Sequence, residues 1–81
     1  MKKKMTWKER KYDYMFTKYQ PFLSKCVGFN DDRRVFINTY NMLMEAIASL
    51  DDEPNNFVAV AMNTAMQEEY SMLDRIMKRF S

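Results

Sequence analysis

Histidine is absent from the 81 residues, cysteine and glycine occur once each, and proline occurs twice. Each scarcity removes a class of chemistry. Without His the chain has no ready general base near neutral pH and no imidazole for a metal. The lone Cys26 makes neither an internal disulfide, nor a zinc site, nor a Cys-x-x-Cys redox pair. The lone Gly28 excludes a glycine-rich loop around phosphates. Long apolar runs are missing too. The longest, Phe57 to Met62, falls far short of the roughly 20 residues that a membrane-spanning helix requires. The basic start, Met1-Lys-Lys-Lys, leads into alternating charges and aromatics and does not read as a secretory signal. With the single thiol, this gives the expectation of a cytoplasmic protein.

What is present is 47% hydrophobic, 15% aromatic and 30% charged. A chain of this length buries only about 60% of the surface it exposes when unfolded, enough for one core. A single helical domain over 1–81 is expected, with 1–5 as a flexible basic tail. Residue types with A/T-rich codons (Phe, Tyr, Met, Ile, Asn, Lys) number 37, and those with G/C-rich codons (Gly, Ala, Arg, Pro) number 13. That skew is common in phage genomes and in some bacteria. If the chain is phage-encoded, its place is the host cytoplasm.

Strand periodicity is nearly absent and helical periodicity is strong. Thr6-Trp7-Lys8-Glu9 has the spacing of a capping box. From there Tyr12, Met15, Phe16 and Tyr19 recur at helical spacing, and Phe22, Leu23, Cys26 and Val27 continue the stripe. Pro21 removes a ladder hydrogen bond and crowds the carbonyl of Thr17, so the first helix is interrupted there. Gly28 is placed to stop the continuation, and Asn30-Asp31-Asp32 to open a second helix. Along that helix Phe36, Tyr40, Leu43, Ile47 and Leu50 step four, three, four, three. Its polar residues, Arg34, Asn38, Asn41, Glu45 and Ser49, stack into a strip of only about 80°. Asp51-Asp52-Glu53-Pro54-Asn55-Asn56 breaks the chain, its acids either tailing the second helix or capping the third, and Pro54 with Asn55 or Asn56 favours the latter. The third helix starts with Phe57-Val58-Ala59-Val60-Ala61-Met62, apolar all round, and is expected to be enclosed there. The fold class is therefore all-α: a compact three-helix domain whose second and third helices form an antiparallel hairpin.

Charge is divided unevenly. Residues 1–18 carry seven cations and two carboxylates, net +5, whereas 19–81 carry six and nine, net −3. The basic end is also aromatic. Lys2, Lys3, Lys4, Trp7, Lys8, Arg10, Lys11, Tyr12 and Tyr14 form a candidate surface for nucleic acid, where cations meet phosphates and rings stack on bases. Another acidic partner, protein or lipid, fits the same residues. The plainer alternative is a solvated lysine tail followed by core aromatics, with Trp7 and Tyr14 the two rings left off the stripe.

Nine Met residues mark the second feature, since thioethers fill irregular cores and adaptable binding surfaces alike. Three short helices do not cover both the second helix and the start of the third. Val35, Met42, Met44, Phe57, Val60, Met62, Met66 and Met72 are therefore candidate interface residues toward a protein partner or a second copy of the chain. A core this small supplies roughly 3–5 kcal/mol, so a homodimer or higher oligomer would also help it fold. Catalysis is not expected. Of the acidic clusters, Asp31/Asp32 and Asp51/Asp52/Glu53 sit where helix caps belong, none of them, Glu68/Glu69 included, has the calcium-loop pattern, and Cys26 lacks an activating His. No cofactor, metal or small-molecule substrate is implied. The expected role is a small non-enzymatic interaction protein, acting as inhibitor, adaptor or regulator in the manner of phage accessory proteins. Nucleic-acid binding through the first helix is the alternative.

Overall fold

The protein is described from a computed structural model covering residues 4–25 and 31–80. Four helical elements follow in order: α1 (Trp7–Lys18), α2 (Gln20–Lys25), α3 (Asp31–Ala48) and α4 (Asn56–Phe80). There is no strand among the described residues. The architecture is the expected all-α one, because α1 and α2 are two parts of a single arm bent at Tyr19. Lys2 and Lys3, the Cys26 and Val27 end of the first stripe, the Gly28 stop and the Asn30 cap lie outside the described residues.

Local chemistry starts and stops these elements as the spacing requires. Thr6 Oγ1 accepts from the Glu9 backbone N–H at 3.1 Å, and Glu9 Oε1 accepts from the Thr6 N–H at 3.0 Å. The reciprocal capping box is thus complete. The bend follows from Pro21, which has no N–H to continue the ladder. Tyr19 still donates to the Met15 carbonyl at 2.9 Å, and Phe22 then starts afresh on the Tyr19 carbonyl at 3.0 Å. At α4, Asn55 is the cap, its Oδ1 accepting from the Val58 N–H at 2.9 Å.

The α3–α4 pair is an antiparallel hairpin, and three contacts give its register. Arg79 at the end of α4 pairs with Asp32 at the start of α3 at 2.8 Å. Midway, the Thr39 hydroxyl meets Met72 Sδ at 3.7 Å. Nearer the loop, Met42, Leu43 and Ala46 face Met62, Ala65 and Met66. α1 lies across this pair, antiparallel to α3 and parallel to α4, with Lys8 beside Ala48, Tyr19 beside Phe36 and Lys18 beside Asp74.

One core joins all the arms: Met15, Tyr19, Phe22, Phe36, Tyr40, Leu43, Ile47, Met66, Leu73 and Ile76. Phe22 anchors α2 through Phe36 and Phe80, at ring separations of 4.8 and 5.8 Å. The polar strip of α3 is wholly exposed, as its narrow arc predicts. The start of α4 departs from expectation. Phe57 is 83% exposed and Val60 56%, so these two turns are not enclosed. A helix in a three-arm bundle meets neighbours on two sides at most, and here the third side carries apolar residues.

Candidate interaction surfaces

The first turn of α1 is docked by the acidic loop between α3 and α4. The Trp7 backbone N–H donates to Glu53 Oε1 at 3.0 Å, and the Lys8 N–H to the Asp52 carbonyl at 3.0 Å. Lys8 Nζ donates to the Ala48 carbonyl at 3.1 Å, putting a cation at the negative end of α3. Glu53 therefore caps α1 with its carboxylate and Asp52 with its backbone carbonyl, a role outside the two expected for this loop. The carboxylate comes from 46 residues away, so local spacing gave no sign of it.

These contacts sort the basic aromatic set. Trp7 is only 7% exposed, and its ring carries the Lys11 ammonium at 5.3 Å. It is not offered for stacking on a base. Lys8 is taken by the α3 terminus, and Tyr12 packs against the core. Lys4 is exposed outside the helix, and Arg10 Nη1 donates to the Met5 carbonyl at 2.9 Å. The remaining residues converge on α4. Trp7, Lys11, Tyr14 and Lys18 step four, three, four along α1, and Asn63, Gln67, Tyr70 and Asp74 take the same steps along α4. With Arg10 and Ser71 these two strips line an open groove of about 690 Å³.

Its far end is a tyrosine–carboxylate network. The Tyr19 hydroxyl donates to Asp74 Oδ1 at 3.0 Å, and Lys18 lies 3.4 Å from the same carboxylate. Lys18 also donates to the Tyr14 hydroxyl at 3.0 Å. That hydrogen bond is the main reason the ammonium is held protonated above its usual range. Tyr14 stands 5.0 Å from Tyr70, and Tyr19 stacks on Tyr70 at 5.9 Å. Burial, then the neighbouring Tyr14, pushes the Tyr70 phenol up to about 12. Lys11 goes the other way, lowered first by burial and then by the adjacent Arg10.

Tyr70, Asn63, Gln67, Lys18 and Asp74 were not among the expected site residues. The signal was present in the recurrence of Trp7, Lys11, Tyr14 and Lys18, a second stripe beside the apolar one. The matching α4 strip looks like an ordinary solvated face until α1 is placed beside it.

The apolar candidates do not form a single patch. Met42, Ala46, Met62 and Ala65 surround a small groove of about 190 Å³ between α3 and α4, with Leu43 and Met66 at its base. Met66 is 1% exposed, so its expected place at an interface is corrected to the core. It lies on the α4 stripe that meets α3 directly. Val35, two turns before Met42, lies exposed on the same strip of α3, and Met72 is half-buried against Thr39. Met44 turns to the opposite side of α3 and packs on the core. Phe57 and Val60 face away from this seam at the start of α4, and Phe16, which the first stripe placed inward, is exposed on α1.

Among the described residues no cluster of three or more acidic, thiol or imidazole groups is arranged to hold a metal, and no helix is long and apolar enough to cross a membrane. No known family, curated protein or solved structure matches this chain.

Proposed function

We propose that this chain is a small non-enzymatic interaction protein that works by occupying a protein partner as inhibitor, adaptor or regulator, the mode of action of phage accessory proteins. The observation that carries the reading is the apolar surface left outside the core. Phe57, Val60 and Met42 are large apolar side chains left half or more exposed, at 83%, 56% and 50%. Fully burying a side chain of this size favours association by about 1.5–3 kcal/mol. The Met-lined seam between α3 and α4 adds an adaptable surface of the kind used where a partner must be accommodated. Nucleic-acid binding has less behind it, since Trp7 is covered and Lys8 is committed to α3.

The test is affinity purification of tagged protein from its source cell, with and without nuclease. A stoichiometric protein that survives nuclease, and is lost with the Phe57→Glu and Met42→Glu variants, is the expected result. Both positions are exposed, so the variants keep the fold. Light scattering over a concentration series reports whether a second copy is the occupant. A constant monomer mass with no nuclease-resistant partner overturns the proposal, and loss of every bound species on nuclease treatment transfers the function to nucleic acid.

A further inference from the structure

Resting on the reading of the chain as a protein-interaction module, we infer that the groove between α1 and α4 receives an acidic, extended segment of the partner. Its carboxylates lie on Arg10, Lys11 and Lys18, and its backbone amides on Asn63 and Gln67. Charge is the first argument. The lining holds three cations against one carboxylate, and that carboxylate, Asp74, is already engaged by Tyr19 and Lys18. No carboxylate stands within ion-pair distance of Lys11 or Arg10 among the described residues. Lys11 is instead set over the Trp7 ring, beside a second cation. Two adjacent cations in a partly desolvated groove are a standing demand for an anion.

The second argument is polar satisfaction. Asn63 Oδ1 is buried at this groove with no hydrogen-bond partner among the described residues. A buried amide oxygen without a donor is destabilising, and an incoming N–H relieves it. The third is dimension. From Trp7 to Lys18 the α1 strip spans about 16 Å at the helical rise. About five residues of extended chain cover that length. A peptide also suits the lining better than a nucleic-acid strand does. Trp7 is buried beneath Lys11, and Tyr14, 39% exposed, is engaged at its edges by Tyr19 and Tyr70, so the groove offers no row of open rings for successive bases.

The experiment is a titration of ¹⁵N-labelled protein followed by NMR, with acetylated hexaglutamate as probe. Hexaglutamine and decathymidylate serve as neutral and nucleic-acid controls. Hexaglutamate should move the backbone signals of Lys11, Tyr14, Lys18 and Gln67 and the side-chain amide of Asn63, with hexaglutamine moving none of them. The double variant K11Q/K18Q should weaken binding about tenfold. Gln67→Glu, at an exposed position that leaves the fold intact, should weaken it several-fold by repulsion alone. Absence of localised shifts, equal shifts with hexaglutamine, or tighter binding of decathymidylate at the same strip each overturns the inference. If it falls while Phe57→Glu and Met42→Glu still release a captured partner, the interaction reading stands and only this groove is removed from it.

Discussion

α4 has a different neighbour on each side, and the two seams are built from opposite materials. Toward α1 the contacts are directional: a phenol on a carboxylate, an ammonium shared between a phenol and that carboxylate, and three tyrosine rings in contact. Toward α3 they are mainly thioethers, methyls and one buried threonine, with the Arg79–Asp32 ion pair at the open end of the hairpin. Directional groups hold a neighbour in one orientation, because each misplaced donor or acceptor loses its partner. Thioethers tolerate displacement and repack. The difference matters for α1, whose twelve residues would be marginal as an isolated helix. It is placed by end contacts and the tyrosine network in addition to Met15 and Tyr19 in the core, whereas the α3–α4 hairpin is held mainly by buried apolar area.

The largest effect that separates floor from rim lies within the methionine seam itself. Met66→Ala empties a fully buried position and should cost about 2–5 kcal/mol. Met42→Ala, on the exposed rim, should change stability by less than about 0.5 kcal/mol. Urea unfolding of both variants checks the contrast. Equal losses would mean that Met42 is covered in solution, as it would be in an oligomer built through this seam.

The tyrosine side should be sensitive to alkali and the methionine side should not. Tyr70 is pushed to about 12 in the folded chain, and Tyr19 is also raised, first by burial and then by its polar neighbours. An unfolded tyrosine ionises near about 10. Above that pH the unfolded chain binds fewer protons than the folded one, so stability falls as pH rises. The contribution is fully present below about pH 10 and is lost on the way to about pH 12. The urea midpoint should fall across that window, less steeply in Tyr70→Phe. Met42→Ala should keep the slope of the unaltered protein, since Glu69 is the only titratable side chain lining the methionine groove. An unchanged slope in Tyr70→Phe would remove the phenol from the account.

Much of the framework was legible because it is local. The Thr6–Glu9 box, the Pro21 bend, the Asn55 cap and the apolar stripes of α3 and α4 are all set by residues within four positions of one another. The site was legible only in part. Lys11 and Tyr14 were reachable from composition, but their partners, Asn63, Tyr70 and Asp74, lie some fifty residues away and carry no mark of the pairing. Trp7 was misjudged for the same reason. Being off one stripe suggested exposure, whereas it belongs to a second stripe that only α4 and the acidic loop complete. Met66 and Met62 are indistinguishable as residue types. A turn of about 40° around α4 separates floor from rim, and that requires knowing where α3 lies.

The smallest predicted effect tests whether α1 is held separately from the rest. Glu53→Gln keeps an oxygen to accept from the Trp7 N–H but removes the negative charge beside the positive end of α1. The expected loss is about 0.3–1 kcal/mol, close to the limit of a denaturation curve. Amide exchange resolves it better, because local opening is read residue by residue. Exchange at Trp7 and Lys8 should quicken two- to fivefold, the range that such a free energy implies, while Leu43, Ile47 and Leu73 in the hairpin hold their rates. Equal acceleration in α1 and the hairpin would show that they open as one unit. The polar seam would then be as integral to the core as the methionine one, and the contrast between the two sides of α4 would be one of chemistry without a difference in stability.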